Sequence, residues 1–98
     1  MIENVELYDM TKMQLKYLSI EKNTPINVWM RAGARYILDH NCPLRDTPAD
    51  DTYVSYTMDI APELKKEIVT YVHLHDAKIR DFWVTVSDII IDKKGDFQ

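Results

Sequence analysis

The sequence predicts a mainly α-helical domain with a short antiparallel β-ribbon, laid out as two similar halves joined by a linker. Three observations predict it. Apolar residues in four segments recur at spacings of three and four, as on amphipathic helices. Two short runs, one ahead of each helical pair, alternate apolar and polar residues as half-buried strands do. A single polar, proline-containing stretch, "CPLRDTPADDT" at 42–52, separates the halves.

The first alternating run is "IENVEL", with Val5 and Leu7 on one face and Asn4 and Glu6 on the other, a face that Ile2 would extend, in a strand near 3–8. A helix follows over "MTKMQLKYLSIEK", its apolar set being Met13, Leu15 and Leu18 with Tyr17 at the margin. The next helix is "NTPINVWMRAGARYILDHN", 23–41. Thr24 suits the N-cap, and Pro25 the first helical position, where a missing N–H costs nothing. Ile26, Trp29, Met30, Gly33, Tyr36 and Ile37 mark its apolar face, and "HNCP" stops it. Beyond the linker, "TYVSYTMDI" alternates Val54, Tyr56, Met58 and Ile60 against Ser55, Thr57 and Asp59, a strand near 53–60. The helix "PELKKEIVTYVHLH" starts with Pro62 in its first turn, a break falls near "HDAK", and "IRDFWVTVSDIIID" forms the last helix. The reading is one compact domain of two repeats: a first unit 1–41, a linker 42–52, a second unit 53–92 and a tail 93–98.

A shift of 53 residues superposes the halves, Ile26 falling on Ile79. It sets Val5 on Met58, Leu7 on Ile60, Leu15 on Ile68 and Leu18 on Tyr71. In the later helices it sets Trp29 on Phe82, Met30 on Trp83, Tyr36 on Ile89, Ile37 on Ile90 and Asp39 on Asp92. Few residues are identical, yet chemical character agrees at nearly every apolar position, which makes an internal repeat the better reading.

Composition bounds the function. The 98 residues make one small domain with a thin core, ordinary in its apolar and charged fractions. No apolar run reaches bilayer length, and "MIENVELYDM" lacks the basic and apolar regions of a signal peptide, so the expectation is a cytoplasmic protein with no membrane partner. The lone cysteine, Cys42, excludes an internal disulfide and a CxxC metal knuckle. Net charge is −4, half of it from the linker's acids and half from residues 53–98. Typical nucleic-acid binders are basic.

Strand, helix, turn, helix, with "LKYLSIEKNTPINVWMRAGARYIL" in the helical part, resembles the ribbon-helix-helix (MetJ/Arc-type) family. The first unit carries the likeness well and the second is diverged. Family members pair two strands into an antiparallel ribbon. A lone strand leaves its backbone groups without partners, and two helices alone close no core. Two units in one chain supply both halves, so the resemblance implies an intramolecular pseudo-dimer similar to the tandem proteins of conjugative plasmids. At ~3.3 Å per residue the linker spans the return to the second strand. Strands pairing only between chains would give a swapped or tetrameric homo-oligomer instead. Trp29 and Met30 are expected where the units meet.

The resemblance also implies sites. Outward ribbon residues read base edges in the major groove; by position these are Asn4, Glu6, Ser55, Thr57 and Asp59. Asn and Thr suit base contacts, whereas Glu6 and Asp59 accept only from cytosine and repel phosphate. No Lys or Arg sits on either strand. A phosphate contact is implied at the start of the second helix of each unit, with Thr24, Ile26 and Asn27 in one and Lys78 and Arg80 in the other. Pro25 removes an amide there, and Asp76 and Asp81 flank the other start unfavourably. Arg31 and Arg35 lie one turn apart on a helix face, a solvated pair or else a phosphate or partner patch. His73 and His75 in "HLHD" point apart on a helix, His40 and Cys42 find no third ligand, and no metal or cofactor is expected. Neither a glycine-rich phosphate loop nor GxSxG nor HExxH is present, so no enzyme is expected. The aromatic set Trp29, Tyr36, Tyr71, Phe82 and Trp83 reads as core. Two functions stand: a small DNA-binding regulator or accessory protein acting on double-stranded DNA, and, as the alternative, an acidic inhibitor on the same fold, phage- or plasmid-encoded, that mimics DNA to a DNA-acting host protein.

Overall fold

In a computed structural model that describes residues 1–97, four helices and a two-stranded antiparallel sheet follow the order β1 (Ile2–Leu7), α1 (Asp9–Lys22), α2 (Ile26–His40), β2 (Val54–Asp59), α3 (Pro62–Leu74) and α4 (Ile79–Lys93). Gln98, the last residue of the expected tail, lies outside the described residues.

Both strands pair within the one chain. Val5 faces Tyr56, Asn4 faces Thr57 and Ile2 faces Asp59. Strict alternation buries Glu3, Val5 and Leu7 and exposes Ile2, Asn4 and Glu6. β2 buries Met58, half-buries Val54 and Tyr56, and exposes Ser55, Thr57 and Asp59. β1 runs one residue earlier than the expected 3–8, and β2 is one residue shorter at each end than the expected 53–60, because the pairing extends from Ile2–Asp59 to Leu7–Val54.

The 53-residue shift matches the bounds of the helices. It carries Ile26–His40 onto Ile79–Lys93 end for end, and the first residue of α1, Asp9, onto that of α3, Pro62. The helix terminations repeat as well. Asn23 and Asp76 take left-handed backbone at one helix end, and Asn41 and Lys94 at the other, with φ of 51–53° at all four. Asn and Asp enter this region at little cost. Backbone N–H groups beyond each turn then return to helix carbonyls, Thr24 to Ser19 and Gly95 to Ile90 among them.

Several local expectations are corrected. Pro25 is the N-cap of α2, with extended backbone, and helical geometry begins at Ile26. Thr24 caps nothing; its hydroxyl donates to the Lys22 carbonyl. Pro62 does occupy the first turn of α3. On α1 the inward face is Thr11, Leu15 and Leu18, while Met13 and Tyr17 point to solvent. The tail is part of the packed structure through Phe97. Gly95, with φ 78°, lies against the Trp29 indole, and Phe97 reaches the Tyr36 ring at 6.0 Å between centroids.

Trp29 and Met30 are buried in a single cluster that draws on every element and on both halves. Its centre is α4, which is buried without interruption from Asp81 to Ser87. Gly33 makes the approach of α2 to α4 possible, since a Cβ there would come within 2.8 Å of Val86 Cγ1. The linker covers the other side of α4. The Arg45 N–H donates to Thr85 Oγ1, and both the N–H and the hydroxyl of buried Thr47 donate to Asp81. No helix is long and apolar enough to cross a membrane among the described residues.

Candidate nucleic-acid interface

Alternation in both strands places Asn4, Glu6, Ser55, Thr57 and Asp59 on one uncovered face of the ribbon, with Ile2 at its edge. Across the strands Asn4 opposes Thr57, Glu6 opposes Ser55 and Ile2 opposes Asp59. The central pair is the one that the 53-residue shift makes equivalent, Asn4 becoming Thr57. One amide and one hydroxyl thus stand at the middle of the face, with a carboxylate toward each end.

Neither carboxylate is isolated. Asp59 meets the Met1 amine at 2.7 Å, and that hydrogen bond holds its pKa below the usual range for aspartate. Arg31 Nη1 donates to the Asp59 carbonyl at 3.2 Å, and Lys12 Nζ to the Ser55 carbonyl at 2.8 Å. At the Glu6–Ser55 end, which Lys12 shares, Arg80 Nη1 is 3.8 Å from Glu6. The strands carry no cation, as their sequence says, but the helices bring three to the ribbon's margins. Lys65 adds a fourth on the buried side, where it bonds Glu3 together with the Trp83 indole N–H. Sequence reading missed Glu3, although its parity with Val5 and Leu7 places it on the inner face.

The two helix starts differ. At α2, helical geometry leaves the Ile26 and Asn27 amides without intrahelical acceptors, and Thr24 is half-buried beside them. The Ile26 side chain packs against the core, so only its amide faces outward there. At α4 the ground is occupied. Asp81 accepts from the Lys78 N–H at 2.9 Å, and Lys78 Nζ bridges Asp46 at 3.1 Å and Asp81 at 3.4 Å. Arg80 donates to Thr47 and stacks over the Tyr53 ring at 4.1 Å. The linker's Asp46 and the helix's own Asp81 therefore fill the position implied for a phosphate. Burial pushes the Asp81 pKa up, but the Thr47 and Lys78 donors outweigh it and leave the carboxyl below the ordinary value. Asp81, expected as an unfavourable flank, is an integral cap.

Tyr8 and Tyr53 lie 4.9 Å apart between centroids, with Arg45 over Tyr8, at the end of the ribbon where the linker enters. The hydrogen bond with Tyr53 is the main reason the Tyr8 hydroxyl is pushed up to about 12. Arg31 and Arg35, neighbours on one helix, serve different partners: Arg35 makes a two-pronged pair with Glu67 of α3 at 3.1 and 2.7 Å. His75 stacks on Tyr71 and touches Asn41, and His40 stacks on Tyr36. Among the described residues no group of three or more His, Cys, Asp or Glu is placed to hold a metal ion. Cys42 is a half-buried free thiol.

No family model, no curated protein and no solved structure matches this chain.

Proposed function

We propose that the two strand-helix-helix units form a ribbon-helix-helix pseudo-dimer and that the protein is a small DNA-binding regulator or accessory protein. The observation that carries this reading is the ribbon itself. Its outward side chains are all exposed, and no other element among the described residues covers them. A two-stranded ribbon fits the B-DNA major groove, which is about 12 Å wide. In this reading Asn4 and Thr57 sit on the pseudo-twofold axis and touch base edges. Lys12 and Arg31 lie at the margin where phosphates pass, and the α2 start with Thr24 and Asn27 offers one amide site. Lys78 and Arg80 are committed to carboxylates and to Thr47, so the second phosphate contact is lost and the affinity is modest. Glu6 and Asp59 limit it further by repulsion.

The ribbon's acids support a second reading. Exposed Glu6 and Asp59, on a chain with a net charge of −4, present carboxylates where bound DNA would present phosphates to a protein's DNA-binding groove. An acidic inhibitor of a DNA-acting protein would look like this.

One variant separates the two. Glu6→Gln with Asp59→Asn is expected to tighten duplex binding in a gel shift about tenfold, and Asn4→Ala with Thr57→Ala to flatten sequence preference. The parent's affinity falls with salt, with a shallow slope because few cations face the phosphates. If the parent binds duplex no better than the non-specific ~10⁻⁴–10⁻⁶ M, and a stoichiometric protein partner is lost on the same double change, the inhibitor reading replaces the regulator.

A further inference from the structure

The outer face of α1 carries a row of apolar side chains that nothing among the described residues covers. Met10 is 68% exposed, Met13 47%, Tyr17 70% and Ile20 71%. Their spacing of three, four and three is that of a heptad seam. The internal repeat supplies a control on this surface. The 53-residue shift carries these four positions onto Glu63, Lys66, Thr70 and His73 of α3, all exposed and all polar. The same place on an equivalent helix is therefore solvated in one unit and apolar in the other. Ordinary tolerance of scattered surface hydrophobics does not account for four in register on one helix only.

We infer that this seam is the interface for a second copy of the chain, with the two α1 helices antiparallel about a twofold axis between Met13 and Tyr17. The seam is self-complementary in that arrangement: Met10 of one copy meets Ile20 of the second copy, and Met13 meets Tyr17. Charge agrees, because exposed Asp9 and Lys16 flank the seam on the same side of α1, and the twofold sets Asp9 of each copy on the side of Lys16 of the other. Association through a single isologous patch closes at two, and the polar α3 face stops further growth. Area sets the strength. Four side chains exposed to this degree, counted on both copies, cover on the order of 1,000 Å², the low end for specific association. The dimer is accordingly a dissociating one, with Kd of about 1–100 μM. It leaves the ribbon face free and does not depend on whether that face binds DNA.

Sedimentation equilibrium of the full chain tests this over about 1–300 μM. The parent is expected to shift from monomer to dimer across that range. Met10→Lys alone and Ile20→Glu alone should each weaken the dimer at least tenfold, with unchanged circular dichroism and melting because both positions are exposed. Tyr17→Ser serves in the same way if either variant folds poorly. The double variant Met10→Lys/Ile20→Glu should recover the dimer to within about threefold of the parent, since antiparallel pairing sets the new opposite charges against each other. A parent that stays monomeric throughout overturns the proposal and leaves the seam to another occupant, such as a lipid surface or an unrelated helix. Single variants that dimerise like the parent also overturn it, as does a double variant with no recovery.

Discussion

Asp81 shows how much one side chain can settle. It is buried, it accepts from the Lys78 N–H at the start of α4, and it accepts both donors of Thr47 in the linker. Removing it leaves those donors unsatisfied, and each such buried group costs about 1–3 kcal/mol. Asp81→Ala is expected to lower stability by roughly 2–4 kcal/mol in urea unfolding at pH 7. The pH dependence has a definite sign. The folded pKa lies below the ordinary 3.8, so the stabilisation is whole above that value and drains away as pH falls through the folded pKa. Parent and variant should therefore differ by a constant amount above about pH 5 and converge in stronger acid. Glu3 is the other residue that composition conceals. Its charge suggests solvent, while its strand parity puts it against Lys65 and the Trp83 indole.

Among the elements, the crossing of α2 over α4 is the most tightly specified. Gly33 is helix-unfavourable by about 1 kcal/mol relative to Ala, yet a methyl there meets Val86 Cγ1 at 2.8 Å. Val86 is β-branched and held on a fully buried helix, so it has little freedom to turn away. Overpacking costs about 1–3 kcal/mol. Gly33→Ala is therefore expected to destabilise by about 1 kcal/mol despite its better helix propensity, measured as a lower urea midpoint at unchanged m-value. The helix pairs differ in a way their sequences only half reveal. α2 keeps a polar face, whereas α4 is covered on one side by α2 and on the other by the linker. Periodicity identified both as helices, and the near-continuous apolar texture of "FWVTVSDIII" is the trace of that enclosure.

For the molecule as a whole, the decisive fact is that β1 finds its partner in the same chain. Each strand alone would leave a row of backbone groups unpaired, and the two halves share one core. Unfolding is expected to be a single transition that is independent of concentration below about 1 μM, where the α1 seam is unoccupied. Amide contacts between Val5 and Tyr56 should persist there. Their loss on dilution would show instead that the strands pair between chains.

The alternation of "IENVEL" and "TYVSYTMDI", the helix periods and the 53-residue repeat determined the elements and their order, because these depend on local spacing that any packing must respect. They also determined which ribbon residues face outward, since strand parity admits no intermediate choice. Only the tertiary structure decided which charges are free. Lys78, Arg80, Arg35 and Asp81 read alike as surface residues, and their partners Asp46, Thr47 and Glu67 lie 32 to 34 positions away, beyond the reach of any periodicity. It likewise decided which apolar face of α1 is turned inward: Met13 and Tyr17 share the helix with Leu15 and Leu18 as apolar candidates, and burial went to the side that α4 could reach.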